Sequence, residues 1–138
     1  MKDIDIAKGY LTEENLTIAV VKDKNVVYKS KEKGIKPMYI LAREMKDIAK
    51  DGSVADKVIG KGAALLCQYM GIKEVYGGLM SETAMDVLNR GNINFDYDEI
   101  TPYIQNRDKT GLYPIENMSM DIEDGEILLK EIRGFMKK

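Results

Sequence analysis

The chain has 138 residues, 44% hydrophobic and 32% charged, the balance of one globular domain with room for a core. Lysine plus arginine total 21 against 23 acids, and the net charge of -2 argues against a nucleic-acid polymer or a membrane surface as partner. With no histidine and one cysteine, an internal disulfide and the usual Ser-His-Asp and Cys-His catalytic sets are excluded. No apolar run reaches about 18 residues, and charge alternates with hydrophobe over Met1 to Leu11. Neither a membrane span nor a secretory signal is therefore expected, and a cytoplasmic prokaryotic protein is the default.

In chain order, Asp3 to Glu14 carries Ile4, Ile6, Ala7, Tyr10 and Leu11 as a short amphipathic helix interrupted by Gly9. Leu16 to Val21 is a β-branched run and predicts a strand; Asp23, Lys24 and Asn25 form a turn, with Asn25 tolerant of a left-handed backbone. Val26 to Ser30 returns as the second strand of a β-hairpin. After the charged loop Lys31 to Lys36, Pro37 suits a first helical turn, and Met38 to Lys50 has helical apolar spacing ended by Asp51-Gly52.

Ser53 to Gly71 predicts the central helix, with Val54, Val58, Ile59, Leu66, Tyr69 and Met70 at three- and four-residue steps. Gly60, Gly62, Ala63 and Ala64 lie inside that run, where each glycine costs roughly 1 kcal/mol relative to alanine. Such a cost implies that another backbone or a ligand comes close. Ile72 to Met80 predicts a third strand, its Gly77-Gly78 pair marking a close approach or a bulge. Ser81 caps a helix to about Asn89; Ile93 to Tyr97 alternates as a fourth strand, and Ile100 to Ile104 is a fifth or an irregular edge. Gln105 to Asn117 is a polar loop, and Asp121 to Lys138 a terminal helix with acids first and bases last. The expected whole is a single domain over residues 1–138, a three-layer α/β/α sandwich whose mixed sheet has four to five strands and an edge hairpin.

Four blocks, SKEKGIKP (Ser30 to Pro37), ADKVIGKGAAL (Ala55 to Leu65), MSETAMDVL (Met80 to Leu88) and NRDKTGLYPIE (Asn106 to Glu116), resemble the DUF1893 family of uncharacterised prokaryotic domains. The resemblance covers nearly the whole chain. It implies a cytidine-deaminase-like fold without the zinc motifs, and it brings no activity. The family pattern has cysteine where this chain has Tyr113, so a thiol mechanism in that loop does not carry over. A zinc deaminase needs a His or Cys and two further cysteines, with a glutamate to move protons. The expected helix starts hold Ser53-Val54-Ala55-Asp56 and Ser81-Glu82-Thr83-Ala84 instead, and Cys67 is the sole thiol, so no zinc and no other cofactor is expected.

Two helices starting side by side at strand ends form a crevice suited to an anion. Lys57 and Lys61, one turn apart on the expected helix, either add charge there or are solvated surface lysines. Asp56 is a candidate general base, or the far half of a capping box begun by Ser53. Asn106, Arg107, Asp108 and Glu116 form a second candidate patch: Arg107 binds carboxylate or phosphate, and Asp108 and Glu116 move protons. The alternative is an ordinary turn pinned by Arg107. Ser81 is a cap or a ligand contact; Cys67 and the nine methionines are core. Two functions fit: binding of, or chemistry on, an anionic small molecule or nucleotide at the crevice, or a non-catalytic interaction domain that forms homo-oligomers through a sheet edge or helix face.

Overall fold

The computed structural model describes residues 1–105 and 114–136. Helix α1 (Asp3–Glu13) is followed by the hairpin β1 (Ile18–Lys22) and β2 (Asn25–Ser30), then α2 (Lys36–Glu44) and the short α3 (Lys46–Ala49). The chain continues as β3 (Ser53–Ile59), α4 (Lys61–Met70), β4 (Glu74–Ser81), α5 (Glu82–Arg90), β5 (Asn94–Thr101), α6 (Pro114–Ser119) and α7 (Gly125–Met136). The five strands form one sheet in the order β2-β1-β3-β4-β5. The hairpin is antiparallel and lies at one edge, β1 runs antiparallel to β3, and β3, β4 and β5 are mutually parallel.

Alternation along the strands divides the buried residues between two faces. Ile18, Val20, Val54 and Val75 join the larger cluster, with Leu65, Leu66 and Met70 of α4 and Val87 and Leu88 of α5. Their neighbours Ala19, Val21, Ala55 and Tyr76 join the smaller one, with Ile4, Ala7 and Leu11 of α1. Helices therefore cover both faces of a mixed α/β sheet, and both crossover helices of the parallel strands lie on one side.

The principal departure from the expected elements is at Ser53. Residues 53–59 are a strand, and only 61–70 are helical. Strand β3 sits between β1 and β4, so its first three residues are buried whichever way they point. A strand buried on both faces shows continuous hydrophobicity, not alternation, and its valines and isoleucine also match helical steps. The cap pairing of Ser53 with Asp56 and the shared helix face of Lys57 and Lys61 both disappear with that helix. Gly60, extended at φ -98° and ψ -176°, is where strand becomes helix, and Gly71 at φ +75° ends it in the left-handed conformation glycine tolerates.

Smaller corrections follow the same logic. The expected helix Met38 to Lys50 breaks at Met45, whose amide still bonds Leu41. The hairpin turn places Asp23 and Lys24, not Asn25, at positive φ, and their amides donate to the Asp3 carboxylate at 3.1 and 3.0 Å. The terminal helix begins at Gly125, behind Asp124, whose Oδ1 accepts the amide of Glu126 at 2.7 Å. The end of the expected polar loop and the two residues after it, Pro114–Ser119, form α6. Among the described residues, no helix is long and apolar enough to cross a membrane.

Candidate functional site

The parallel strands β3 and β4 end together, and their crossover helices α4 and α5 start next to one another. Ser81 caps α5 as expected: its Oγ accepts the Ala84 amide at 3.0 Å and lies 2.8 Å from the Thr83 hydroxyl. The start of α4 is capped from far along the chain. Glu116 of α6 is 2% exposed, and its Oε1 accepts the Lys61 amide at 3.0 Å. Oε2 accepts the Ile104 amide at 2.7 Å, and the Thr83 hydroxyl lies 3.4 Å from Oε1. A carboxylate at the positive ends of two helices is what their dipoles favour. The anion that this crevice suits is thus supplied by the protein itself.

The glycines of the α4 start are explained by the same contact. A Cβ on Gly60 would lie 2.9 Å from Glu116 Oε2 and 2.9 Å from Ile104 Cγ1, and one on Gly62 would lie 2.8 Å from Ile115 Cγ2. The close neighbour is α6 with its flanking chain. In β4 the close neighbour of Gly78 is backbone, since a Cβ there would lie 2.9 Å from the Lys57 carbonyl.

Beside this closed crevice lies an open cavity of about 560 Å³, within the size range of small-molecule sites. Ile35, Met38, Val58, Ala63, Ile104 and Ile115 supply its apolar wall. Thr17, Lys33, Asp56, Lys57, Gln105 and Glu116 supply the polar positions. Asp56 is only part-buried as a residue because it opens on the cavity, yet packed atoms behind it remove most of the solvent from its carboxyl. That desolvation pushes its pKa up to about 7, against the pull of the Val58 and Lys57 amides. Oδ1 accepts the Val58 amide at 3.1 Å. No side-chain donor reaches either oxygen among the described residues.

The lysines expected to make the site cationic are committed elsewhere. Lys57 Nζ donates to Asn15 Oδ1 at 2.8 Å, beyond the end of α1. Lys61 is buried, not solvated: its Nζ donates to the Met120 carbonyl at 2.9 Å and to Glu123 Oε1 at 2.8 Å, and Arg90 holds the other Glu123 oxygen at 2.7 Å. Lys61, then Arg90, lowers the Glu123 pKa. Of the expected site residues, Asp56, Lys57 and Glu116 line the cavity, while Lys61 and Ser81 do not. Asn106, Arg107, Asp108 and Tyr113 lie outside the described residues. Lys33 and Ile35, absent from the expected set, line the cavity; the Gly34 between them, at φ +82°, was the one local signal for that loop. Cys67 is fully buried beneath Met38, and burial, then Asp56, drives its thiol pKa far up, as a packing residue requires. No group of three or more metal-ligating side chains occurs among the described residues.

The family model of a domain of unknown function, DUF1893 (TM1506), matches residues 6–136. The chain belongs to the DUF1893 family. The crystal structure of a DUF1893 family protein, TM1506 from Thermotoga maritima, is similar to this chain with a TM-score of 0.86 at 22% identity, over 97% of this chain and 90% of that one. At that identity the likeness speaks for the fold alone. No curated protein matches. Membership of DUF1893 thus carries an architecture and no activity, and the function has to be read from the cavity.

Proposed function

We propose that this DUF1893 protein binds a small molecule in the cavity beside the α4 start, with Asp56 as the group that anchors it and can exchange a proton with it. The observation that carries the reading is the Asp56 carboxyl, set on an apolar-walled cavity of about 560 Å³ with no side-chain partner among the described residues. A carboxyl poised near neutrality can both accept and give a proton at physiological pH. Glu116 takes the complementary part: its backbone bonds fix α6 against α4 and so shape the wall.

The same reading takes the fold as cytidine-deaminase-like. The strand order, the edge hairpin and the paired helix starts at the ends of β3 and β4 support that comparison. The positions opening those helices hold Gly60-Lys61 and Ser81-Glu82, and the chain has no histidine, so zinc-dependent deamination is not part of the proposal. An anion seated between the helix starts has less to hold it among the described residues, because Glu116 fills that place and Lys61 turns to Glu123. The ligand sits beside the crevice.

The test is thermal shift with a fragment panel balanced among cations, neutral molecules and anions, on wild type and Val58→Trp. Val58 lines the cavity yet is 42% exposed, so a bulky ring there blocks the mouth at little cost to the core. A ligand at about a hundred times its dissociation constant adds about 2.7 kcal/mol, a rise of several degrees in Tm for a domain of this size. At least one fragment is expected to give that rise in wild type and not in Val58→Trp. A panel without a hit, or hits indifferent to the substitution, would sink the proposal.

A further inference from the structure

Resting on the cavity as the binding site, the charges around it say what kind of molecule it takes. A buried carboxylate is ordinarily paired with a cation or several donors, because leaving it alone costs far more than any other arrangement. Glu116 obeys that rule through two backbone amides and the α4 start. Asp56, part-buried where it faces the cavity, has only backbone partners, and no side-chain cation reaches it among the described residues. Among the described residues, the nearby lysines do not pair with it; Arg107 and Lys109 lie outside those residues. Lys57, one residue along, reaches to Asn15, Lys61 is held by Met120 and Glu123, and Lys33 stands exposed at the mouth. Thr17 and Gln105 add uncharged polar positions, while Ile35, Met38, Val58, Ile104 and Ile115 are ready to enclose an apolar body.

We infer that the ligand presents a protonated nitrogen, as an amine, amidine or guanidine on a compact apolar body, to the Asp56 carboxylate. The ligand then supplies the counter-charge that the described residues do not. A planar amidine or guanidine donates two parallel hydrogen bonds to one carboxylate, the strongest pairing of this kind. The body of the molecule displaces water from the aliphatic wall.

Isothermal titration with matched single-ring probes tests the assignment: benzamidine, benzylamine and phenylguanidine as cations, benzamide and benzyl alcohol as neutral counterparts, benzoate as the anion. At least one cation is expected to bind at least tenfold more tightly than the neutral and anionic probes. Asp56→Asn keeps the shape and removes the charge, and should weaken that cation at least tenfold; Val58→Trp should do the same by obstruction. Benzoate or a neutral probe binding as tightly as every cation overturns the inference while leaving the cavity as the site. Cation binding that ignores Asp56→Asn also overturns it. If no probe binds, the inference fails, and the broader fragment panel decides separately whether the cavity reading fails with it.

Discussion

An alanine at position 60 would set its Cβ 2.9 Å from both the Glu116 carboxylate and Ile104, while one at position 9, in the middle of α1, would meet nothing within 4 Å. The two glycines looked alike as interruptions of expected helices, and their physical meanings are opposite. Gly60→Ala is expected to destabilise by about 1–3 kcal/mol through overpacking, and Gly9→Ala to stabilise by roughly 0.5–1 kcal/mol through helix propensity. Urea midpoints of the two variants check this, and a Gly60→Ala midpoint equal to wild type would show that α6 yields easily. Asp56 makes the second prediction at this scale. Its pKa is raised to about 7 by burial, against roughly 3.9 in an unfolded chain. The folded state therefore holds a proton the unfolded state has released, and the associated stability is complete below about pH 4 and lost as pH rises through about 7. Wild type should lose stability relative to Asp56→Asn across that window, by at most about 1.4 kcal/mol per pH unit. Parallel stability curves for the two proteins from pH 4 to pH 8 would show that Asp56 titrates as an ordinary carboxylate.

Among the elements, what could be read from the residues was the hairpin, the capped α5, the later parallel strands and the general order. Those carry strong local signals: β-branched runs around a turn, and Ser81 ahead of an apolar stripe. The central strand could not be read in the same way. Its position between β1 and β4 decides its state, and no local window contains that information. Val54, Val58 and Ile59 satisfy helical spacing as well as they fit a strand buried on both faces. The Gly60-Lys61-Gly62 break was legible as a close approach, and its partner was not, because that partner is α6 more than fifty positions away. The site followed suit. Asp56 and Glu116 were legible as carboxyls worth attention, while the destinations of Lys57 and Lys61 depended on Asn15, Met120 and Glu123, contacts no spacing rule supplies.

For the whole molecule, one sheet separates two packed clusters, with α1 the one helix among the described residues on one face and the crossover helices on the other. Among the exposed large hydrophobic side chains of the described residues, Ile48 on α3, Val58 on β3 and Ile100 on β5 each stand on a different element, while Ile127, Phe135 and Met136 share α7. The edge strand β5 carries Asp96, Asp98 and Glu99, charges of the kind that discourage edge-to-edge association. The Glu116 clasp has a kinetic consequence. It joins Lys61 to a residue 55 positions later, so it closes a long loop whose entropic cost falls due before its bonds return anything. Such a contact is expected to form after the folding barrier, once sheet and crossover helices are in place. Glu116→Gln should then leave the refolding rate nearly unchanged and let the protein unfold faster, about tenfold for each 1.4 kcal/mol lost. Stopped-flow refolding and unfolding arms decide it, and a slowed refolding arm would place α6 in the nucleus. If the unfolding arm alone moves, the wall of the cavity is the last part of the molecule to arrive and the first to leave, and its lifetime sets how long a bound molecule can stay.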